Sequence, residues 1–561
     1  MKKILAVTVL LAASTSAFAQ SLTEKIDVSL VNVDVTVTSH GTPARGLTRD
    51  DFLIFEDGVA QPVSNFYSVE PPRTDGRKVA TATASAPAAA VTVADPTDER
   101  FRRKVLVIVD NRHVTMYNRD RALAALERFV NDRFTGGTYD WSLALVSDSA
   151  HLILPLTSDK EKLHAAIAEV RRVVANPQHP AEEDLVRLAQ LRLTQPVADT
   201  AAFRPAELNE SAATMAAFSD RFQMQADAES TIAAVRDAVR SFAGAPGRKI
   251  ILLVTGSLGL DNAANPLIAI SSSNPRSSQS ILNGTSALGG AAGGMTILRD
   301  ILIHEANASN VSFYIINSEG LQAPGDASNG YSGFGDADSV GRDFDAGGAS
   351  EFASMYWIAR ETGGRLMPGN SVERSLLEFD RTSSSFYSLA YKPPHGDDGR
   401  YHTIKVQLKR PGYQLQYRTG YSSIPAAQQL VRAMHSPLGA SMQQLSIPVS
   451  IVTGAGSPHD GGVLVPLQAS VAAKSLQFIP TGDGSVARVD FFFDLFDERG
   501  HEVTGGHITR EAHSASGKES EGTFVDKHQL LIKPGAAYRF VVGVHDQVTD
   551  AIGIASQTIR F

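Results

Sequence analysis

Lys104-Val105-Leu106-Val107-Ile108-Val109-Asp110-Asn111-Arg112-His113-Val114 decides how this chain is read. Its first half is an unbroken apolar run, which suits a strand covered on both faces. Its second half turns polar at once, as a strand does where it ends in a loop at a sheet edge. Working outward, residues 118–134 set Leu123, Leu126, Phe129, Val130 and Phe134 at helical spacing. Residues 141–146 and 150–156 predict two further strands in a hairpin, and 159–174 an amphipathic helix capped by Ser158. Helix 227–242 precedes strand 249–254, and helix 296–309 precedes strand 311–316. Helices 350–362, stopped at Gly363-Gly364, and 372–381 close the set. Such alternation predicts an α/β fold, a doubly wound and mainly parallel sheet with helices on both sides.

The flanks read differently. Residues 26–38 alternate with period two, Val31, Val33, Val35 and Val37 on one face. The phase slips at Leu30-Val31, which either a bulge or two-sided burial of the first half explains. Residues 53–55 lead into Glu56-Asp57-Gly58, a tight-turn signature, and a strand over 61–69. These 45 or so residues are too few to be comfortable alone. The stretch 71–98, rich in Ala, Thr, Pro and Val, has no period and reads as a linker. Residues 176–225 read as an insertion with a helix over 181–194, and 261–295 and 319–349 as polar, Gly-rich loops. Past the α/β segment come strands 386–391, 402–409 and 413–418, then a short helix over 425–434. Strand-period segments continue from 445, among them 462–471, 487–496 and 537–545. Ile532-Lys533-Pro534-Gly535-Ala536-Ala537-Tyr538 looks like the tyrosine corner of immunoglobulin and fibronectin type III sandwiches.

Lys2 and Lys3, the apolar run 4–13 and Ala17-Phe18-Ala19 together predict a secretory signal peptide cleaved after Ala19. The mature protein is then expected in the periplasm or outside the cell, with no membrane span. The formal net charge of −8 becomes more negative by two when Lys2 and Lys3 leave. That balance argues against nucleic acid as a partner. With no cysteine in the chain, disulfides, thiolate metal sites and thiol nucleophiles are all excluded.

Five phrases in order carry a family resemblance: VSLVNVDVTVT with GLTRDDFLIFEDG, KVLVIVDNRHVT, IARETGGR, DRTSSSFYSLAYKP, and KVQLKRPGYQLQYRTGYS. Over residues 24–422 the chain resembles the VWFA-related domain proteins of the acidobacterial type. The resemblance implies an exported protein with a von Willebrand factor A-like domain inserted in a split β unit, formed by 26–69 and 400–419. The expected organisation is therefore a signal peptide (1–19), an N-terminal β unit (22–70), a linker (71–99) and the A-like domain (100–392). Strands completing the β unit (393–422), a linker with a short helix (423–444) and an Ig/FN3-like β-sandwich (445–561) follow.

Adhesion-type A domains hold Mg²⁺ with Asp-x-Ser-x-Ser after the first strand and an Asp after a later one, a hard-cation oxygen set. Here Asp110 stands, but Arg112 and Val114 replace both serines, and Thr255-Gly256-Ser257 lacks the later carboxylate. Arg112 is always cationic and donates only, so it repels a metal. Only a remnant of the metal motif, Asp110, survives; Mg²⁺ is disfavoured and no cofactor is expected. Two readings of Asp110, Arg112, His113, Thr255 and Ser257 stay open: a protein-binding rim, or an internal Asp110–Arg112 pair closing the strand end. His304-Glu305 opens no H-E-x-x-H and reads as a surface pair, while Ser257 lacks a nucleophile elbow. Asp326, Asp336, Asp338, Asp343 and Asp345 match no calcium loop. The expectation is a non-enzymatic, exported interaction or adhesion protein of the cell envelope with an unidentified protein partner. An extracytoplasmic hydrolase and a purely structural envelope component are its rivals.

Overall fold

The computed structural model describes residues 30–71, 93–133, 137–147, 149–174, 205–242, 245, 247–260, 289–318, 351–368, 371–396, 398–436, 438–439, 447–481, 484–515 and 522–560. The expected signal peptide, most of the linker 71–99, the helix over 181–194 and the Asp-rich loop 319–349 lie outside them.

The run 104–109 forms strand Arg103–Asp110, buried along its whole length. It lies inside a six-stranded sheet, in the order Arg365–Pro368, Val311–Asn317, Arg248–Thr255, Arg103–Asp110, Tyr139–Val146, Ala150–Thr157. All neighbours are parallel except the last pair, a hairpin. Alternate residues of the run point to opposite faces, and each face has its own core. Leu106 and Ile108 pack with Ile232, Val235, Leu302 and Ile358 from helices Pro205–Ser241, Gly289–Ala308 and Glu351–Glu361. Val105, Val107 and Val109 pack with Leu126, Ile167 and Leu376 from helices Met116–Arg133, Lys160–Arg172 and Val372–Ser383. Such burial is worth about 1.5–3 kcal/mol per large aliphatic side chain. Helix Lys160–Arg172 is capped by Asp159, whose carboxylate accepts from the Glu161 and Lys162 amides, one residue later than expected.

Among the described residues that sheet is one of five, and here the expected fold class is corrected. Among the described residues, twenty-five strands stand against seven α-helices. Parallel pairing is confined to four strand pairs of the six-stranded sheet and one short pair elsewhere. The chain is therefore mostly β in several mixed sheets, and a doubly wound α/β fold does not describe it. The helical periodicity of the middle outweighed, in the sequence reading, the strand pairing that dominates both ends.

Strand Val31–Ser39 pairs antiparallel with Phe386–Tyr391 and with Gln414–Gln416. Phe52–Glu56 pairs with Tyr401–Leu408. The two resulting sheets share a core of Val31, Val33, Val35, Val37, Phe52, Ile54, Leu389 and Val406. Leu30 precedes the first strand and Val31 opens it, while Ile26 and Val28, which carry the opposite phase, lie outside the described residues. Two buried arginines tie this β unit to the six-stranded sheet. Arg418 donates to the carbonyls of Asn307 (2.7 Å) and Asn32 (2.6 Å). Arg248 donates to the Ser383 carbonyl at 3.1 Å and faces Thr36 Oγ1 at 3.4 Å.

Helix Ala426–His435 leads to two further antiparallel sheets that share one core, with Val465, Leu467, Phe491, Tyr538, Phe540 and Val542 inside it. Among the described residues no helix is long and apolar enough to cross a membrane.

The IARETGGR phrase ends helix Glu351–Glu361 in a Schellman turn. Gly364 N–H donates to the Ala359 carbonyl and Gly363 N–H to that of Arg360, with Gly363 at φ +74°. Gly364 has a different constraint: a Cβ there would meet the Phe313 carbonyl oxygen at 1.8 Å. Gly364→Ala is expected to cost at least ~3 kcal/mol in urea unfolding. Gly399→Ala, at φ +72° but facing open space, is expected to cost only about 1–2 kcal/mol.

Candidate functional site

At the carboxyl ends of the central strands the turn after Asp110 meets the loop after Thr255. Asp110 is fully buried, at 0 % exposure, and four donors ring its carboxylate. Oδ1 accepts from the Arg112 and His113 amides, at 3.0 and 3.3 Å. Oδ2 lies 2.8 Å from His113 Nδ1 and accepts from Thr255 Oγ1 at 2.7 Å. The Thr255 hydroxyl is also 2.5 Å from the Ser257 carbonyl, so its one proton serves both acceptors in turn. Ser257 Oγ accepts from the Gly259 amide, which spends it on the loop's own geometry.

Burial pushes the Asp110 carboxyl up. The charge of His113 and the hydrogen bonds from His113, Thr255 and the Arg112 amide outweigh that, and hold it below the usual aspartate range. All five residues named from the sequence thus meet, but as a buried knot and not an open rim. Side-chain exposure is 13 % for His113, and the others are buried more deeply.

The expected direct Asp110–Arg112 ion pair does not form. The Arg112 side chain leaves the turn in the other direction, toward helix Pro205–Ser241. There it pairs with Asp227 at 2.8 Å and donates to Ser230 Oγ at 2.9 Å. Sequence reasoning missed Asp227 and Ser230 because they lie 115 and 118 residues away. An arginine where an adhesion motif has serine was the one available signal that a buried acid must exist somewhere. The turn is held from its other side as well. Asn111 Oδ1 accepts from Arg119 Nη1, and Asn111 Nδ2 donates to the Val174 carbonyl.

A second recess, a cleft of about 650 Å³, lies between helices Gly289–Ala308 and Glu351–Glu361 and strand Tyr401–Leu408. His304 stacks on Tyr401 there, with ring centroids 4.0 Å apart, and Trp357 forms part of the wall. The cleft's polar groups are largely engaged with one another or with its walls. Arg299 pairs with Asp300, Tyr401 Oη accepts from Asn307, and Glu361 accepts from Thr419 Oγ1. Glu305 is not half of a surface pair, as the sequence suggested. It is buried and bound by Arg240 and Arg236, at 3.2 and 3.4 Å.

No family model matches the chain, and no curated protein does. Among solved structures it is similar to an aerotolerance-related membrane protein from Bacteroides fragilis. That match has 12% identity and a TM-score of 0.23, and covers 50% of this chain and 98% of that one. The conserved hypothetical protein BatB from Bacteroides thetaiotaomicron matches with 11% identity, the same coverage and a TM-score of 0.21. Proximal thread matrix protein 1 from the mussel byssus matches at 11% identity and a TM-score of 0.20, over 50% of this chain and 48% of that one. At such scores the likeness assigns neither fold nor function.

Two predictions follow from the knot. Asp110 ionises at lower pH folded than unfolded, so its contribution is full above the ordinary aspartate range and lost as pH falls through the depressed value. Asp110→Asn is therefore expected to flatten the acid limb of a urea-stability profile measured against pH. Arg112→Ala leaves Asp227 buried without its cation and is expected to cost about 3–5 kcal/mol. Adding Asp227→Asn should recover part of that loss, as a double-mutant cycle would show.

Proposed function

We propose that this chain is an exported, non-enzymatic interaction protein, related to the VWFA-related domain proteins, that engages a protein partner in the cell envelope without a metal at the sheet edge. One observation carries the reading: the buried carboxylate of Asp110 is ringed by donors of the chain itself, two amides, an imidazole and a Thr255 hydroxyl shared with the Ser257 carbonyl. An ionised carboxylate has about four lone-pair sites. Three donors and the shared Thr255 hydroxyl compete for those sites with Mg²⁺, which takes oxygen ligands in a near-octahedral array.

The knot is then a rigid base that fixes the strand-end loops. His113, with the greatest exposure of the five, is its link to the surface. The family relation is supported by where its phrases fall. Strands Val31–Ser39 and Phe52–Glu56 pair with Gln414–Gln416 and Tyr401–Leu408, which joins the two stretches of the expected split unit, and Phe386–Tyr391, assigned from the sequence to the A-like domain, pairs with Val31–Ser39 as well. Binding is favoured over hydrolysis because, among the described residues lining the 650 Å³ cleft, Arg299 pairs with Asp300, Tyr401 accepts from Asn307 and Glu361 from Thr419, an arrangement that assembles no acid, base and nucleophile in hydrogen-bonded sequence.

The test is capture from envelope extract on immobilised full-length protein, in Mg²⁺ and in EDTA. The same protein should be retained in both, and His113→Ala should weaken its retention. A partner that is lost when EDTA replaces Mg²⁺ contradicts metal independence, and failure to retain any protein contradicts the interaction role.

A further inference from the structure

Away from the sheet edge, the β unit gathers a set of side chains that the sequence reading did not single out. Glu56 ends strand Phe52–Glu56, and Asp57 occupies the tight turn that follows. His395 lies on the loop after Phe386–Tyr391, and His402 lies on strand Tyr401–Leu408. Antiparallel pairing of Phe52–Glu56 with Tyr401–Leu408 brings the two ends of the unit together at this point. One ligand atom each from Glu56, His395 and His402 falls within 4.8 Å of the others.

Donors and acceptors balance here only when both imidazoles carry a proton on each nitrogen. His395 Nδ1 lies 2.8 Å from the Gly396 carbonyl, which can only accept, so Nδ1 carries a hydrogen. Its other nitrogen, Nε2, faces Glu56 Oε1 at 2.5 Å, again an acceptor. His402 repeats the pattern: Nε2 faces Asp398 Oδ1 at 3.1 Å and Nδ1 faces Asp57 Oδ2 at 2.8 Å. Satisfying all four contacts with protons makes both rings cations, yet they stack with centroids 3.8 Å apart. A single divalent ion taking the place of one proton on each ring leaves both stacked imidazoles neutral and places the positive charge among the Glu56 and Asp57 carboxylates. Glu56 adds a second signal. It is 2 % exposed, and its Oε2 is buried with no hydrogen-bond partner. An orphaned carboxylate oxygen at that depth is costly unless something positive meets it.

We infer that Glu56, His395 and His402 form a divalent-cation site of the Zn²⁺ class, with the Asp57 carboxylate beside it as a fourth ligand. Two imidazoles and a carboxylate are a set that suits Zn²⁺ at about 2.0–2.2 Å, and the hard cations Mg²⁺ and Ca²⁺ far less. The outer shell is already in place. Asp398 on His402 Nε2 and the Gly396 carbonyl on His395 Nδ1 are the partners that orient metal-bound imidazoles and fix the tautomer. His395 lies on a loop, and its ring has to shift for Nε2 to reach bonding distance of the ion. The ion joins Glu56 to His395, 339 positions apart, and Asp57 to His402, 345 positions apart, and so acts as a clip across the closure of the β unit. This site is independent of Asp110, and it holds whether or not the chain binds an envelope protein.

The experiment is Zn²⁺ titration of untagged, chelator-treated full-length protein by calorimetry, with Co²⁺ as a spectroscopic probe. One equivalent of Zn²⁺ should bind and raise the melting temperature. Co²⁺ should give the intense visible bands of a four-coordinate site. His395→Ala, checked for native circular dichroism, should weaken binding at least 100-fold, while His507→Ala in the C-terminal sheets should leave it unchanged. No stoichiometric Zn²⁺ binding by the wild type overturns the inference, as does undiminished binding by folded His395→Ala. If that variant does not fold, the Co²⁺ spectrum of the wild type decides, and weak six-coordinate bands overturn the site.

Discussion

The antiparallel pairing of Val31–Val35 with Tyr387–Tyr391 is the constraint on which the rest of this architecture depends. It joins segments about 350 residues apart and places everything between them in one closed loop. Chain-closure entropy makes that less costly than it sounds, since each doubling of loop length adds only about 0.6 kcal/mol. What the pairing requires is a surface for the inserted sheet to rest on. Arg248 and Arg418 provide it, reaching from one unit to the backbone or hydroxyl groups of the other. Both are buried, so each must find acceptors, and those acceptors fix the relative placement of the two units.

The same logic of burial shapes the sheet edge. A carboxylate at the end of a parallel strand, taken out of water, needs donors in proportion to its lone pairs. Where a metal-binding edge would recruit a cation, this chain supplies an imidazole, a hydroxyl and two amides. Substituting Arg112 into the motif creates a second demand, met by Asp227 on a helix that packs against the sheet. The two acids thus hold one turn from opposite sides, which makes the edge rigid with no ion in it.

Much of this was legible in the sequence, and the failures have physical causes. Strands Arg103–Asp110, Arg248–Thr255 and Val311–Asn317 were readable because a strand buried on both faces has to be apolar throughout. They lie side by side, and the turn after Asp110 touches the loop after Thr255. The class of the whole chain was misjudged because periodicity reports each segment's burial and says nothing of how many sheets the segments build. Strand Arg365–Pro368 went unseen, being four residues long with no room to show a period. At the site, the identity of the five edge residues was legible but their burial was not. Arg112 and Asp110 are two residues apart, and proximity in sequence suggested a pair that the turn geometry directs elsewhere. Glu56 was read only as part of a tight turn, since its histidine partners arrive from the far end of the closed loop.

The central claim is that protein donors occupy Asp110 in place of a cation. Crystals of the full-length protein soaked in Mn²⁺, a Mg²⁺ surrogate with an anomalous signal, test it most directly. The account predicts no anomalous peak within coordination distance of Asp110, and an undisturbed contact between its carboxylate and His113. A peak at about 2.2 Å from either Asp110 oxygen, with His113 or Thr255 swung aside, would contradict it.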